Sequence, residues 1–457
     1  MRTISARLAC AAFGYRALIH TAALCAAVLV LPNAAAAATE TQIYAFKSAG
    51  SGDAYSPEWG LTSDAEGNLY GTSRQGGVGL GLGSGTIYQL KPPAPGKSAW
   101  TESVVWNFQG GTKGKWPEAP LVLGPDGKLY GTTISGGDLT DCGNQGCGTV
   151  FSFAPPLPGK KVGKFTIIHR FHHKAGSSPT GALTFDSDGN LYGATMYGGG
   201  DNYCTGDLGG CGVIFKLAPP DPGKVAWKPS VIHAFYHQTG AVPNGGLVFD
   251  ASQNVLYGTA QGGGGGKKHV GNGVVFAMTR PMSNSGAWPY AAIYAFQGAT
   301  KSDGNWPNAG VTFDASGNLY GTTLYGGDVN CGGGCGTIFK LSLVAGTWQE
   351  SVLHIFEGDT HDGRNAYSGL TYDGQALYGT TRYGGADAGG LGSGTVYKMA
   401  LGPSPSFSLL YSFRNNGTDG IAPEEAKLLW DGANKFYGVT LAGGPPFSGI
   451  VYSITVP

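Results

Sequence analysis

Charge is scarce in this sequence. Only 13% of the residues are charged, and 29 Lys and Arg balance 29 Asp and Glu. Three of the basic residues and none of the acidic ones lie in the first 38 positions, so the rest carries 26 against 29, a formal charge of −3. Such a chain lacks the basic footprint of a nucleic-acid-binding protein and the polybasic patch of a membrane-surface protein. We therefore expect no nucleic-acid partner.

Long apolar runs are almost as scarce. The one long run spans Ala17 to Leu31, between three arginines and the small-residue stretch 34–38. That order predicts a secretory signal peptide over residues 1–38, with an uncleaved membrane anchor as the alternative. The later residues show neither helical periodicity nor a run that could cross a bilayer. We expect an exported, monomeric all-β domain over residues 39–457, periplasmic or extracellular.

Segments that resemble nucleotide-binding and metal-binding motifs lack the residues or the structural context that those motifs require. Gly96-Lys97-Ser98 lacks the earlier glycine of a phosphate loop, since position 91 is Lys91, and no helix follows. Asp186 begins a segment like a calcium loop, but the twelfth position is Tyr197 rather than Glu. The sequence therefore predicts no metal and no cofactor.

What the sequence does contain is one phrase that occurs seven times. Its Tyr-Gly core begins at Tyr70, Tyr130, Tyr192, Tyr257, Tyr320, Tyr378 and Tyr437. Each copy is followed by a second phrase of the type Gly-Thr-Val-Phe, as at 148–151. A fixed period of about sixty residues with several short strand signals indicates a repeat architecture.

Each repeat contains four strand signals. In the fifth repeat they lie at 310–314, 318–323, 336–341 and 351–356, rich in β-branched and aromatic residues. Four antiparallel strands per repeat predict an all-β fold, a seven-bladed β-propeller with one blade per repeat. A β-helix is the main rival, but its turns are shorter. We expect the glycine of each Tyr-Gly pair to mark the close approach of a neighbouring blade.

The two ends of the repeat region complement each other. Residues 42–46 resemble a fourth strand, whereas the chain ends on a third strand at Ile450 to Ile454. We predict that the N-terminal strand joins the last blade and closes the ring, which leaves no exposed sheet edge.

Six cysteines remain after the predicted signal peptide, in three close pairs at one place in their repeats. The pairs are Cys142 with Cys147, Cys204 with Cys211, and Cys331 with Cys335. An even count in an exported chain favours disulfides over zinc ligands, whose usual spacing is missing.

The phrase Leu-Tyr-Gly-Thr-Thr-x-x-Gly-Gly followed by Gly-Thr-Val-Phe-x-Leu closely resembles the tandem repeat of the bacterial choice-of-anchor (GloVer-type) repeat proteins. The match covers residues 42–457. The resemblance implies an exported repeat protein and no particular biochemical activity. A weaker, kelch-like resemblance supports the propeller fold only.

The loops on one face of such a propeller are the best candidates for a site. The fourth-to-first and second-to-third connections emerge there, and the former end in a variable residue at the mouth of the central channel. These residues are Glu58, Glu118, Thr180, Asn244, Asn308, Tyr367 and Glu424. Ring closure would make Glu424, Glu58 and Glu118 consecutive neighbours. They are weak catalytic candidates, because solvated rim charges that cap the strand ends are the simpler explanation.

Aromatic residues fall on the same face. The predicted ligand-binding residues are Trp116, Trp306, Tyr197, Tyr325, Tyr383 and Arg382. Exposed aromatic rings suit sugar rings, and the alternative is packing between blades.

The histidines form two groups. His169, His233 and His354 share one position in the fourth strand and are expected to pack. The second group is expected in the upper loops, where a histidine can be a ligand, a base or simply a solvated group. Its members are His172, His173, His237 and His361.

Three functions remain open. The leading hypothesis is an exported binding module that recognises a glycan or protein ligand on its loop-rich face. The second is a polysaccharide lyase or glycoside hydrolase with carboxylates at the channel mouth. The third is a cell-envelope scaffold without a small ligand.

Overall fold

Short runs of β-branched and aromatic residues form seven four-stranded antiparallel sheets in the computed structural model. The sheets are the blades of a β-propeller. The structure describes residues 37–457 except 49, 79–81, 158–159, 161, 201–203, 205–208, 266–270, 284–285, 330, 388–389 and 426. Most of the predicted signal peptide lies outside these residues. No helix among them is long and apolar enough to cross a membrane.

The strands of each blade are named a to d from the channel outward. The a strands are Thr62–Ser63, Val122–Leu123, Ser177–Phe185, Val248–Phe249, Thr312–Phe313, Thr371–Tyr372 and Leu429–Trp430. The b strands are Leu69–Ser73, Leu129–Thr133, Leu191–Tyr197, Val255–Ala260, Leu319–Thr323, Ala376–Thr381 and Lys435–Thr440. The c strands are Thr86–Lys91, Thr149–Ala154, Val213–Ala218, Val274–Thr279, Thr337–Val344, Thr395–Ala400 and Ile450–Thr455. The d strands are Thr101–Asn107, Lys164–Arg170, Lys228–Ala234, Tyr290–Ala295, Thr347–Ile355, Ser406–Ser412 and, for blade seven, Thr39–Ala45.

The N-terminal strand completes the last blade, as the sequence predicts. Gln42 lies opposite Tyr452 and Ala45 opposite Ile450 in an antiparallel ladder. The backbone N–H of Phe46 then donates to the carbonyl of Gly449 at 3.1 Å. The first and last strands of the described chain therefore lie side by side in one sheet.

The glycine of each Tyr-Gly pair is required for a different reason from the one expected. Gly321 in the b strand lies opposite Phe339 in the c strand of the same blade. A Cβ added at Gly321 would lie 2.5 Å from the Phe339 ring tip, and the same clash recurs at Gly71 with Tyr88. The prediction that a neighbouring blade approaches here is therefore wrong. The aromatic ring of the next strand covers the glycine instead.

Neighbouring blades are joined by a repeated contact, the inter-blade clamp. Its first residue is not glycine, yet it has φ between 54° and 59° in every blade. These residues are Ser56, Trp116, Ser178, Val242, Trp306, Asn365 and Ala422. The N–H of Trp116 donates to the carbonyl of Ser84 in the preceding blade at 2.9 Å, and Pro117 covers Gly85 there.

The two long connections of each blade share the upper face, as predicted. Two-residue ladders join them in four blades. The pairs are Ala54–Tyr55 with Gln75–Gly76, Gly304–Asn305 with Tyr325–Gly326, Gly363–Arg364 with Tyr383–Gly384, and Gly420–Ile421 with Ala442–Gly443. Three 3₁₀ turns, Gly111–Lys113, His173–Ala175 and Ala299–Lys301, lie in the same connections. The three predicted disulfides also lie on this face and are present as predicted.

The outer strands meet in two kinds of contact. The first is a ring stack between blades, as between His354 and Phe407 with centroids 3.9 Å apart. The predicted packing role of His354 is confirmed, and its Nε2 also lies 3.0 Å from the Asp362 carboxylate. His233 stacks in the same way on Tyr290.

The second kind of contact is a group of two carboxyls and a tyrosine. Tyr44 donates to Asp53 at 2.9 Å, and burial beside Asp53 raises the pKa of Glu102 to about 8. The equivalent groups are Tyr294 with Asp303 and Glu350, and Tyr411 with Asp419 and Glu40. Burial, then the neighbouring carboxylate, raises the pKa of both Glu350 and Glu40 to about 7.

We predict that Gly321→Ala destabilises the fold by about 1 to 3 kcal/mol, because the added methyl overlaps the Phe339 ring. Gly262→Ala is the control, since its Cβ meets only ordinary contacts, the nearest atom being 3.8 Å away. Urea unfolding of both variants measures the difference. Equal stabilities would contradict the packing described for the Tyr-Gly strand.

Candidate functional site

The residue that follows each clamp proline or alanine stands at the upper mouth of the channel. These seven residues, Glu58, Glu118, Thr180, Asn244, Asn308, Tyr367 and Glu424, are called the mouth ring. Asn244 Nδ2 donates to Asn308 Oδ1 at 2.8 Å, and Asn308 Nδ2 donates to the Tyr367 carbonyl at 3.4 Å. Hydrogen bonds thus pass around the mouth from blade four to blade six.

A second position reaches the mouth ring from the preceding blade. This shoulder position is the fourth residue after the Tyr of each Tyr-Gly pair. It holds Arg74, Ile134, Met196, Gln261, Leu324, Arg382 and Leu441. Arg74 Nε lies 2.9 Å from Glu118 Oε1, and Arg382 Nε lies 2.7 Å from Glu424 Oε1. In blade four, Gln261 Nε2 donates to Asn308 Oδ1 at 2.6 Å.

Glu58 is the exception among the three glutamates of the mouth ring. Its shoulder position in the preceding blade is Leu441, which carries no charge. Burial, followed by the charges of Glu424 and Glu118, raises the pKa of Glu58 to about 7. The arginines paired with those two glutamates oppose the rise. The three predicted candidates are therefore brought together, and Glu58 is the one without an arginine of its own.

A fourth carboxyl, Glu425, lies just inside the mouth and was not singled out from the sequence. Burial, then the charges of Glu424, Glu58 and Glu118, raises its pKa to about 8. Glu425 lines a cavity of about 200 Å³ in the channel. Asn308 and Tyr367 of the mouth ring line the same cavity.

The channel narrows below the mouth at a ring of small residues. The positions are Gly60, Pro120, Ala182, Gly246, Gly310, Gly369 and, in blade seven, Lys427. A Cβ on Gly60 would touch both Lys427 and Pro120, and one on Gly369 would lie 3.7 Å from Lys427 Cδ. Blade seven has one residue more in this segment, because Leu428 lies four positions after Glu424 whereas Leu61 lies three after Glu58. Because of this offset, an alignment of the repeats does not place Lys427 at the position of the small residues.

The predicted aromatic residues fall into separate groups. Trp306 is 44% exposed, and its ring meets the Tyr325 ring edge-on at 5.5 Å. Trp116 instead has the Lys115 ammonium 4.2 Å from its centroid and the Arg74 guanidinium at 5.8 Å. The face of Trp116 is therefore shared with cations, whereas Trp306 keeps much of its surface free.

Arg382 forms a third group with the mouth ring. Its guanidinium lies 5.0 Å from the Tyr383 ring and 5.4 Å from the Tyr367 ring. The ion pair with Glu424 is the third contact that holds the Arg382 guanidinium in place. Tyr197 pairs with Ser177 in blade three and contacts none of the other predicted ligand-binding residues in the described part of the chain.

The upper-loop histidines make local contacts. His172 Nδ1 lies 3.5 Å from Asp138 Oδ2, and the backbone N–H of His173 donates to Asp141 Oδ2 at 2.8 Å. Thr360 lies 3.0 Å from His361 Nδ1. None of these contacts involves a glutamate of the mouth ring.

Comparisons with known proteins agree with the fold. The seven blades define a β-propeller protein. The model of the Gloeobacter/Verrucomicrobia repeat matches residues 33–267 and 203–452, so the chain belongs to this repeat family, as predicted. No curated protein matches the chain.

The chain is similar to several solved structures at low sequence identity. The periplasmic gluconolactonase of Pseudomonas aeruginosa is 15% identical with a TM-score of 0.47, over 87% of this chain and 98% of that chain. The PQQ-bound aldose sugar dehydrogenase of Streptomyces coelicolor is 16% identical with a TM-score of 0.42, over 82% and 99%. The α-L-arabinanase of Penicillium chrysogenum complexed with arabinobiose is 12% identical with a TM-score of 0.44, over 82% and 97%.

We predict that stability falls as the pH rises from about 5.5 to about 8.5. A carboxyl with a raised pKa binds its proton in the folded state more tightly than in the unfolded state, so its contribution is full below the unfolded pKa and is lost as the pH passes the folded pKa. Glu58→Gln should flatten the curve between about pH 5 and about pH 7, which lies between the ordinary pKa of a glutamate and that of folded Glu58. The measurement is urea unfolding across the pH range.

Glu66→Gln, in an exposed lower turn, is the matched control and should leave the slope unchanged. The remaining slope in Glu58→Gln comes from Glu425 and from the outer-strand glutamates. An identical slope in wild type and Glu58→Gln would show that Glu58 has an ordinary pKa.

Proposed function

We propose that the protein is an exported carbohydrate-binding module whose ligand lies on the upper face beside the channel mouth. The observation that carries this proposal is Trp306, which is 44% exposed with the edge of Tyr325 against it. A sugar ring presents an apolar face to such an indole and polar edges to the groups around it.

Fixed polar groups at the mouth support the same function. Asn244, Asn308 and Gln261 are held by hydrogen bonds to one another, and Arg382 is held by Glu424 and two tyrosine rings. Side chains already held in position lose little conformational freedom when a ligand binds. Hydroxyl groups of a glycan both donate and accept, which suits a mixed set of amides, carboxyls and a guanidinium.

The cellular location is part of the proposal. The three disulfides fit an oxidising compartment, and residues 1–38 have the pattern of a signal peptide. We propose export to the periplasm or the cell exterior, where polysaccharides are accessible.

Trp306→Ala is expected to weaken binding to a neutral polysaccharide at least about tenfold, because truncating an exposed aromatic anchor removes the stacking surface. Affinity electrophoresis against a panel of neutral polysaccharides measures the change. Trp227→Ala is the matched control, since Trp227 contacts Tyr130 beside the lower turns. The proposal fails if the wild-type protein binds nothing in the panel, or if both variants bind like wild type.

Cleavage of a glycosidic bond is a second candidate, and Glu58 favours it. A carboxyl with a pKa of about 7 keeps its proton in roughly half of the molecules near neutral pH and can act as a general acid. Glu118 and Glu424 lie beside it, each in an ion pair with an arginine. Two environments for neighbouring carboxyls are the usual basis of an acid and base assignment.

For this candidate, Glu58→Gln should reduce turnover of a cleaved polysaccharide by about 100-fold or more, while binding persists. Reducing-end release measures turnover, and Glu66→Gln serves again as the control. Full activity in Glu58→Gln would remove Glu58 from any catalytic role.

A further inference from the structure

Lys427 is the one long side chain in the narrow ring of the channel. The other six blades place glycine, alanine or proline at this position, and Lys427 lies against Gly60 and Gly369 on its two sides. Since six blades close the ring with small residues, the ring does not need a lysine for its packing. The side chain therefore calls for another explanation.

The amine of Lys427 makes no ion pair or hydrogen bond with the described part of the chain. Lys427 is exposed to solvent where it borders the cavity, so a small molecule in the channel can reach its amine. Desolvation by the surrounding protein atoms lowers the pKa of Lys427. A lysine that loses its proton readily is a nucleophile, and such lysines form imines with carbonyl compounds.

The cavity next to Lys427 contains groups that can assist. Glu425 lines the same cavity of about 200 Å³, and its pKa of about 8 leaves a protonated carboxyl near neutral pH. Trp59 also lines it, is only 6% exposed, and has an indole N–H with no acceptor among the described residues. A buried donor without an acceptor is costly unless a ligand or water completes it.

We propose that Lys427 forms a Schiff base with a small aldehyde or ketone that enters the channel from the mouth. The cavity volume restricts the ligand to a compound of a few carbons, such as a short open-chain aldose. Glu425 is the acid that assists the reaction, and the indole N–H of Trp59 is a donor for a ligand hydroxyl.

The reaction balances without any oxidant or reductant. The lone pair of the neutral amine forms a bond to the carbonyl carbon, and a proton moves from nitrogen to the carbonyl oxygen to give a carbinolamine. Glu425 protonates the hydroxyl, which leaves as water while the nitrogen lone pair forms the C=N bond. Loss of the remaining N–H proton to the Glu425 carboxylate restores the acid and leaves a neutral imine.

Lys427, Glu425 and Trp59 take no part in the proposed stacking of a sugar on Trp306, although Asn308 borders both places. The Schiff base is tested with a small aldehyde and the carbohydrate binding with neutral polysaccharides, so one proposal can fail while the other holds.

The test uses glycolaldehyde with sodium cyanoborohydride, which reduces an imine to a stable secondary amine. Peptide mass spectrometry of the purified protein measures the labelling rate of each lysine near pH 7. We expect Lys427 to be labelled faster than Lys128, because a lowered pKa leaves more of its amine unprotonated near pH 7. Lys128 is an accessible surface lysine paired with Asp126.

Two variants separate reactivity from simple exposure. Lys427→Gly introduces the residue found at four equivalent positions, so the fold should persist and the fast label should vanish. Glu425→Gln should slow labelling of Lys427 and leave that of Lys128 unchanged. Labelling of Lys427 no faster than Lys128 in the folded protein overturns the proposal. So does a preference for Lys427 that survives urea unfolding.

Discussion

The clamp between neighbouring blades is the contact on which the rest of the structure depends. A non-glycine residue with a left-handed backbone costs on the order of 1 kcal/mol or more, and Val242 is β-branched. The conformation persists because its N–H is bonded to the preceding blade, as from Ser56 to Ser448 across the ring closure. Since the mouth-ring residue lies two positions after the clamp residue, the same contact positions the candidate site.

The chemistry of the mouth follows from which shoulder residue meets which ring residue. Arginine meets glutamate at two junctions, glutamine meets asparagine at a third, and Leu441 precedes Glu58 at the closure. A charge without a counter-charge in a crowded mouth prefers its neutral form. The junction that closes the ring is therefore also the one that leaves a carboxyl free to hold a proton near neutral pH.

Much of this architecture could be predicted from the sequence because the repeat is explicit. Residues 42–46 repeat the fourth-strand pattern, which identified the closing strand, and repeat order alone made Glu424, Glu58 and Glu118 neighbours. The group that packs on Gly321 was predicted wrongly, because its identity depends on the cross-strand register that places Phe339 opposite the glycine. Lys427 was missed because one additional residue in blade seven shifts the alignment. The group of Tyr44, Asp53 and Glu102 joins the d strand of blade seven to that of blade one, and a single-repeat pattern does not relate these strands.

Amide hydrogen exchange along residues 39–46 is the most direct test of the closed ring. If the N-terminal strand completes blade seven, the amides of this segment that face Ile450–Thr455 exchange as slowly as those of that c strand, and the Ser56 amide is protected with them. Exchange of residues 39–46 at the rate of an unstructured peptide, beside a protected Ile450–Thr455, would contradict the closure and with it the arrangement of the mouth.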